Sequence, residues 1–208
     1  MDKFFSKYLL ASDYRKKAQE QCKKYENKLI VIYLVYFVAV VFLSLTGIEV
    51  FLSLVISGAL AISFAEISKR IHKNEDINVE SLMYGFNDIG KTIILHLLQT
   101  IFTFLWSLLF VIPGIIKGIS YSMSYYIAND NKDLSASECI DRSKQMMDGY
   151  KWEYFCLMLS YIGWILLSVL TFGILFIWVL PRIEQASYLF YLKISGIGKE
   201  MVDTSDDI

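Results

Sequence analysis

The chain has 208 residues, of which 55% are hydrophobic, 15% aromatic and only 20% charged, and its mean hydropathy is +0.45. Twenty Lys and Arg side chains against twenty-one Asp and Glu leave a formal net charge of −1, so total charge selects no partner. The apolar residues gather into uncharged runs too long for a water-soluble core, which excludes a cytosolic enzyme, a nucleic-acid binder and a secreted disulfide scaffold.

Residues 1–28 are polar and carry eight basic side chains. Phe4, Tyr8, Ala11, Arg15, Ala18 and Cys22 recur there at helical spacing beside Lys16, Lys17, Lys23 and Lys24. Two readings stand side by side: a basic amphipathic helix lying on anionic headgroups, and a solvated helix that extends the first span. This segment holds no early apolar region ending in small residues, so the first span is expected to act as an uncleaved insertion signal.

Spans are predicted at about 29–46, 50–67, 88–112, 115–128, 152–170 and 174–191. A crossing helix needs roughly 20 predominantly apolar residues. Turns are expected at Gly47, at Pro113-Gly114 and at Thr171-Phe172-Gly173, because proline lacks an amide donor and glycine tolerates a tight bend. Between the second and third spans, Asn78 is placed to cap a short helix that runs through Phe86. Between the fourth and fifth, Ser135-Ala136-Ser137-Glu138 fits a capping box. The helix it opens sets Cys139, Ile140, Ser143, Met146 and Met147 on one face, opposite Asp141, Arg142, Lys144 and Asp148, and Gly149 is expected to end it. The acidic tail is taken as 193–208.

Eighteen of the twenty basic residues fall in the termini and the two polar linkers, with Lys91 counted at the linker end, and Lys117 and Arg182 are left inside the membrane. By the positive-inside rule both termini are cytoplasmic. The predicted fold is therefore all-α: a polytopic membrane bundle of six transmembrane helices in three hairpins, with cytoplasmic-side amphipathic helices. The domains are the basic helix at 1–28, the membrane domain at 29–192 and the tail at 193–208.

No catalytic motif, metal set or cofactor motif is legible, and Cys22, Cys139 and Cys156 read as unpaired thiols. The polar intramembrane candidates are His96, Gln99, Thr100, Thr103, Arg182, Glu184 and Glu66. His96, Thr100, Thr103 and Ser107 share one helical face, expected to meet other helices as interhelical glue or as the wall of a hydrated path. Arg182 is expected near mid-bilayer and paired with Glu66, and Glu184 paired with His96. Lys117 is expected to snorkel. Small residues at Ser53, Ser57, Ala61 and Ala65, and at Gly114, Gly118 and Ser122, are read as packing faces within the chain. Tyr25, Tyr121, Tyr125, Tyr126, Tyr150, Trp152, Tyr188 and Tyr191 are read as an interfacial aromatic belt.

The string Trp106-Ser107-Leu108-Leu109-Phe110-Val111-Ile112-Pro113-Gly114-Ile115-Ile116-Lys117 leads into Tyr121-Ser122-Met123. After it come Leu134-Ser135-Ala136, Met146-Met147, Gly149, Ile162-Gly163-Trp164, Trp178 and Pro181. This pattern resembles the bacterial integral-membrane family catalogued as domain of unknown function 975, found widely in Firmicutes, over roughly Ser12 to Leu192. The resemblance implies a six-helix plasma-membrane protein without an assigned activity. The family usually shows Pro-Tyr where this chain has Pro181-Arg182, so Arg182 departs from its pattern.

Two function classes follow. The first is a non-enzymatic accessory or interaction protein of the bacterial plasma membrane, serving membrane organisation, an exporter or immunity. Its partners are the lipid bilayer and a second membrane protein or a membrane-active peptide. The second is a permeation or lipid-handling protein that uses the intramembrane polar path.

Overall fold

A computed structural model describes the backbone at residues 2–45, 49–109, 111–171 and 173–196, and side chains at 11–41, 56–106, 113–171 and 173–196. The turn at Gly47, the side chains of Phe4, Tyr8, Ser53 and Ser107, and the tail from 197 onward lie outside the described residues. Every helix or strand among the described residues is helical: α1 (Asp2–Lys24), α2 (Glu26–Leu45), α3 (Glu49–His72), a 3-10 helix (Val79–Phe86), α4 (Ile89–Leu109), α5 (Val111–Tyr121), α6 (Ser124–Asp130), α7 (Ala136–Met146), α8 (Lys151–Leu159), α9 (Ile162–Leu170) and α10 (Phe176–Ser195).

Both predicted caps form. Asn78 accepts from the Ser81 amide at 3.2 Å, while the Asn78 amide donates to the Ser81 hydroxyl at 3.4 Å. Ser135 accepts from the Glu138 amide at 3.4 Å, and its own amide donates to the Glu138 carboxylate at 2.7 Å. The Ser135 hydroxyl, which donates to the Glu138 carboxylate at 2.5 Å, and then the Ser135 amide hold the Glu138 carboxyl below its usual range. The predicted inner face of α7 is buried at Cys139, Ile140, Ser143 and Met147. The helix stops at Met146, however, and Gly149 takes its left-handed backbone (φ +81°) two residues past the cap, at the bend into α8.

Several boundaries differ from the sequence reading. α2 begins at Glu26, α3 runs on to His72, and α10 carries Lys193 to Ser195, which the tail was expected to hold. Pro113 and Gly114 do not form the turn after α4; they lie in the first turn of α5, where a missing amide donor costs nothing. Spans four and five are each broken. α5 and α6 part at Ser122-Met123, and α8 and α9 part at Ser160-Tyr161.

Each break frees backbone groups, and each is closed by a side chain from elsewhere. At the first, the Ser143 hydroxyl of α7 accepts from the Met123 amide at 3.2 Å and donates to the Ser120 carbonyl at 2.8 Å. At the second, Arg15 of α1 donates from Nη1 to the Ser160 carbonyl at 3.0 Å. Ser143 is fully buried, so Ser143→Ala leaves an amide and a carbonyl unpaired. The variant should lose about 1–3 kcal/mol, read as a thermal midpoint in detergent lowered by roughly 3–10 °C.

Helix α1 lays Ala11, Ala18 and Cys22 against α8 and α10. Its apolar stripe thus meets protein rather than headgroups, and Lys16, Lys17, Lys23 and Lys24 are exposed. α3 packs on α4, α6, α10 and the 3-10 helix, and α5 folds back on α4. Gly58 serves the approach of α3 to α4, since a Cβ there would lie 2.9 Å from the His96 Cβ, whereas one at Gly118 would meet the Thr103 Cγ2 at an ordinary 3.8 Å.

Burial divides the molecule into two ends. Around α1, α6, α7, α8 and the second half of α10 the apolar side chains are enclosed, and residues 185–192 are all buried. At the opposite end the chain exposes Val31, Leu34 and Phe37–Val41 of α2, Ile94, Leu97, Ile101 and Phe104–Trp106 of α4, and Ile162, Trp164, Leu166, Leu167, Val169 and Leu170 of α9, with Phe104 and Val169 each at 65% and Leu170 at 77%. An exposed apolar surface of that extent marks a face suited to cover by lipid or by another protein. Within the described residues, Ile89–Trp106 and Lys151–Leu170 are long and apolar enough to cross a bilayer.

Candidate functional site

The polar side chains meet at the enclosed end, where α3, α6 and α10 converge. Glu66 sits on α3 one turn before Arg70, and the Arg70 Nε donates to it at 3.0 Å. Its second oxygen accepts from the Asn129 Nδ2 of α6 at 2.9 Å. Next along, Lys69 donates to Asp130 at 2.7 Å, and the other Asp130 oxygen accepts from the Tyr191 hydroxyl at 2.9 Å. Burial works against the Lys69 ammonium, but the Asp130 hydrogen bond and charge outweigh it and hold its pKa above the usual lysine value.

Tyr191 stacks on Tyr126 at 5.5 Å, and the Tyr126 hydroxyl donates to Glu184 at 3.1 Å. The expected partners are therefore replaced. Glu66 takes Arg70 and Asn129 in place of Arg182, and Glu184 takes Tyr126 in place of His96. The cause is the rotation of α10, which turns Glu184 toward α6 and leaves Arg182 on the side of Cys22 and Tyr161. Arg182 forms no ion pair among the described residues.

His96 is a separate node: its Nε2 lies 2.9 Å from the Ser57 hydroxyl and its Nδ1 2.6 Å from the Tyr125 hydroxyl, so it ties α4 to α3 and α6. Gln99 donates to the Tyr121 carbonyl at 3.3 Å, while its buried Oε1 has no partner among the described residues. Thr103 packs toward α5, and Thr100 is exposed. The predicted stripe thus splits three ways and forms no single wall. Lys117 lies over the Trp106 ring at 4.5 Å, a cation–π contact in place of free snorkelling.

The aromatic belt is also corrected. Tyr25, Tyr121, Tyr126, Tyr188 and Tyr191 are buried, and only Tyr150 and Trp152 of that set are exposed. The hydroxyls of two of them account for the placement, since buried Tyr191 donates to Asp130 and buried Tyr126 to Glu184.

Beside Glu66 a cavity of about 160 Å³ opens between α4, α6 and the 3-10 helix, lined by Tyr84, Asp88, Lys91, Thr92, Asn129 and Lys132 among others. Lys91 donates to the Asn131 and Lys132 carbonyls at 2.8 and 2.9 Å, and so caps the end of α6. Lys132 lies over the Tyr84 ring, and the buried Asn129 Oδ1 has no partner. This cavity offers donors and acceptors for a polar group. Among the described residues no cluster of three His, Cys, Asp or Glu side chains is spaced to hold a metal. Cys22, Cys139 and Cys156 are buried thiols outside any disulfide, and burial pushes the Cys22 thiol up to about 12 against the lowering effect of Arg182.

Sequence reasoning missed Asn129, Asp130, Tyr126 and Tyr191 as members of this network. The run Ala128-Asn129-Asp130 at the end of a greasy stretch was the available signal. A smaller chain joins Gln185 to Gln21 at 2.8 Å and Gln21 to the His72 Nδ1 at 3.4 Å. Burial, then Lys17 and Lys73, lower the His72 pKa from 6.5. An unfolded chain therefore takes up a proton that the folded one resists, so stability is full above pH ~6.5 and falls as pH drops through the folded value. Between pH 7.5 and 5.5 the thermal midpoint should fall by about 1–3 °C less in His72→Gln than in the parent.

The chain is an all-helical protein with one enclosed polar end and one exposed apolar end. Residues 108–197 match the family described as Protein of unknown function (DUF975), the family that the sequence resembles. No curated protein and no solved structure matches the chain.

Proposed function

We propose that this chain is a multi-pass protein of the bacterial plasma membrane, crossing six times with both termini in the cytoplasm. In this reading it acts without enzymatic chemistry, as an accessory or interaction protein. The observation that carries it is the division of the surface: the apolar side chains of α2, α4 and α9 are bare at one end, while the polar network and the exposed lysines of α1 gather at the other. Lipid covers the first kind of surface, and a cytoplasmic boundary suits the second. The partner-facing elements are α1 and α7.

Single cysteines at Gly47 and Thr171, in a chain whose three native cysteines are replaced, should react with an impermeant maleimide in intact cells. A cysteine at Ser137 should react only after lysis. Labelling of Gly47→Cys or Thr171→Cys only after lysis, or a monodisperse chain in buffer without detergent, overturns the reading.

The permeation or lipid-handling class draws on the unpaired, buried Oε1 atoms of Gln99 and Gln185. Solute flux into proteoliposomes that His96→Ala abolishes would displace the accessory role.

A further inference from the structure

Arg182 is the group that the polar network leaves out. It lies on α10 four residues after Trp178, one residue past the buried Pro181, in a stretch otherwise apolar back to Phe176. It lines a cavity of about 140 Å³ between α1, α9 and α10, together with Arg15, Gln19, Tyr161, Trp164 and Val179. Both arginines lie within electrostatic reach of the Tyr161 hydroxyl. No carboxylate lines the cavity, and neither arginine forms an ion pair among the described residues.

Two guanidiniums sharing a partly buried cavity repel each other and lack the solvation of open water. Arg15 spends one donor on the Ser160 carbonyl, which leaves most of its five N–H groups uncommitted. Gln19 supplies an amide beside them, and the Tyr161 hydroxyl is turned away to the Arg182 carbonyl at 3.2 Å. The donor set is therefore built for oxygens carrying negative charge, and paired guanidiniums favour phosphate geometry.

The position of the cavity names the source. Below Tyr161, α8 is sheathed by α1; beyond it, α9 exposes Ile162, Trp164, Leu166 and Val169 at 45–65%. The arginines thus stand where the polar end gives way to the bare apolar one, with Trp164 at the step and an apolar track leading away. Headgroup phosphate and acyl chain need that succession. We infer that the Arg15–Arg182 cavity binds the phosphate of an anionic glycerophospholipid, whose chain lies along α9. This rests on the membrane reading above and gives Arg182 a counter-ion that the described residues do not supply.

The test is native mass spectrometry of the purified full chain in detergent, with phosphatidylglycerol and phosphatidylcholine added in equal amounts. The parent should keep one phosphatidylglycerol per chain under conditions that strip phosphatidylcholine. Arg182→Gln should lower that retention about tenfold or more, with Arg182→Lys in between, because one charge-assisted contact is worth about 1.4 kcal/mol or more. Equal retention of the two lipids by the parent overturns the site even if a variant fails to fold, and so does retention unchanged in Arg182→Gln. Thermal protection by soluble glycerol phosphate equal to that by phosphatidylglycerol overturns the lipid source. A chain that needs no detergent overturns both this inference and the membrane reading, whereas a detergent-requiring chain without lipid preference overturns the site alone.

Discussion

A Gly85→Ala variant is expected to lose about 3–5 kcal/mol of stability and to melt roughly 10 °C below the parent in detergent. The Val79–Phe86 helix lies so close to α3 that a Cβ at Gly85 would stand 1.9 Å from the Ala59 carbonyl oxygen and 2.7 Å from its carbon. Both of those atoms are backbone, so no rotamer change relieves the clash, and the short helix must lift by more than about an ångström. That lift breaks a junction built on Ser63. Its hydroxyl accepts from the Gly85 amide at 2.9 Å and lies 2.7 Å from the Leu82 carbonyl and 3.0 Å from the Ala59 carbonyl. Ser63 is fully buried, so the released groups find no water. Gly90→Ala is the control: nothing stands within 4 Å of its Cβ position, and alanine in a helix is worth about 0.5–1 kcal/mol over glycine. A Gly85→Ala midpoint no lower than that of Gly90→Ala would show that the helix does not seat on α3 this way.

Local chemistry was readable in the chain, and rotation was not. Asn78 and Ser135 announce their helices because a cap acts within four residues, and both boxes form. The apolar runs announce the helices for the same reason. The breaks at Ser122-Met123 and Ser160-Tyr161 escaped because what makes them tolerable lies far along the chain, at Ser143 and Arg15. Pairing by membrane depth failed because depth fixes height and leaves azimuth free. Glu66 had Arg70 one turn away on its own helix, a nearer partner than Arg182. Tyrosines near span ends look alike in sequence whether they face headgroups or a buried carboxylate, and the partners on α6 and α10 decide which. Arg182 was legible as an anomaly, and the structure adds the second arginine beside it.

Lys69→Met should cost more than Asp130→Asn, although the two side chains form one ion pair. They are 25% and 16% exposed, well enough sheltered for the pair to matter and open enough that the full cost of a buried charge does not apply. Removing the ammonium leaves the Asp130 carboxylate with the Tyr191 hydroxyl as its remaining partner, and with Glu66 close enough to be felt at Lys69. A loss of about 2–3 kcal/mol is expected, below the 3–5 of a fully buried pair. Asparagine at 130 keeps an oxygen for Tyr191 and removes the charge, while Lys69 retains the Glu66 carboxylate nearby; about 1 kcal/mol is expected. The double variant should then fall short of the sum by about 1–2 kcal/mol, since the carboxylate that Lys69→Met strands is absent from it. Thermal midpoints of the four chains in one detergent supply the cycle. Equal single losses with additive doubles would mean that the pair is screened by solvent and that α3 and α6 are held by the Tyr126–Tyr191 stack and the Glu66–Asn129 bond instead.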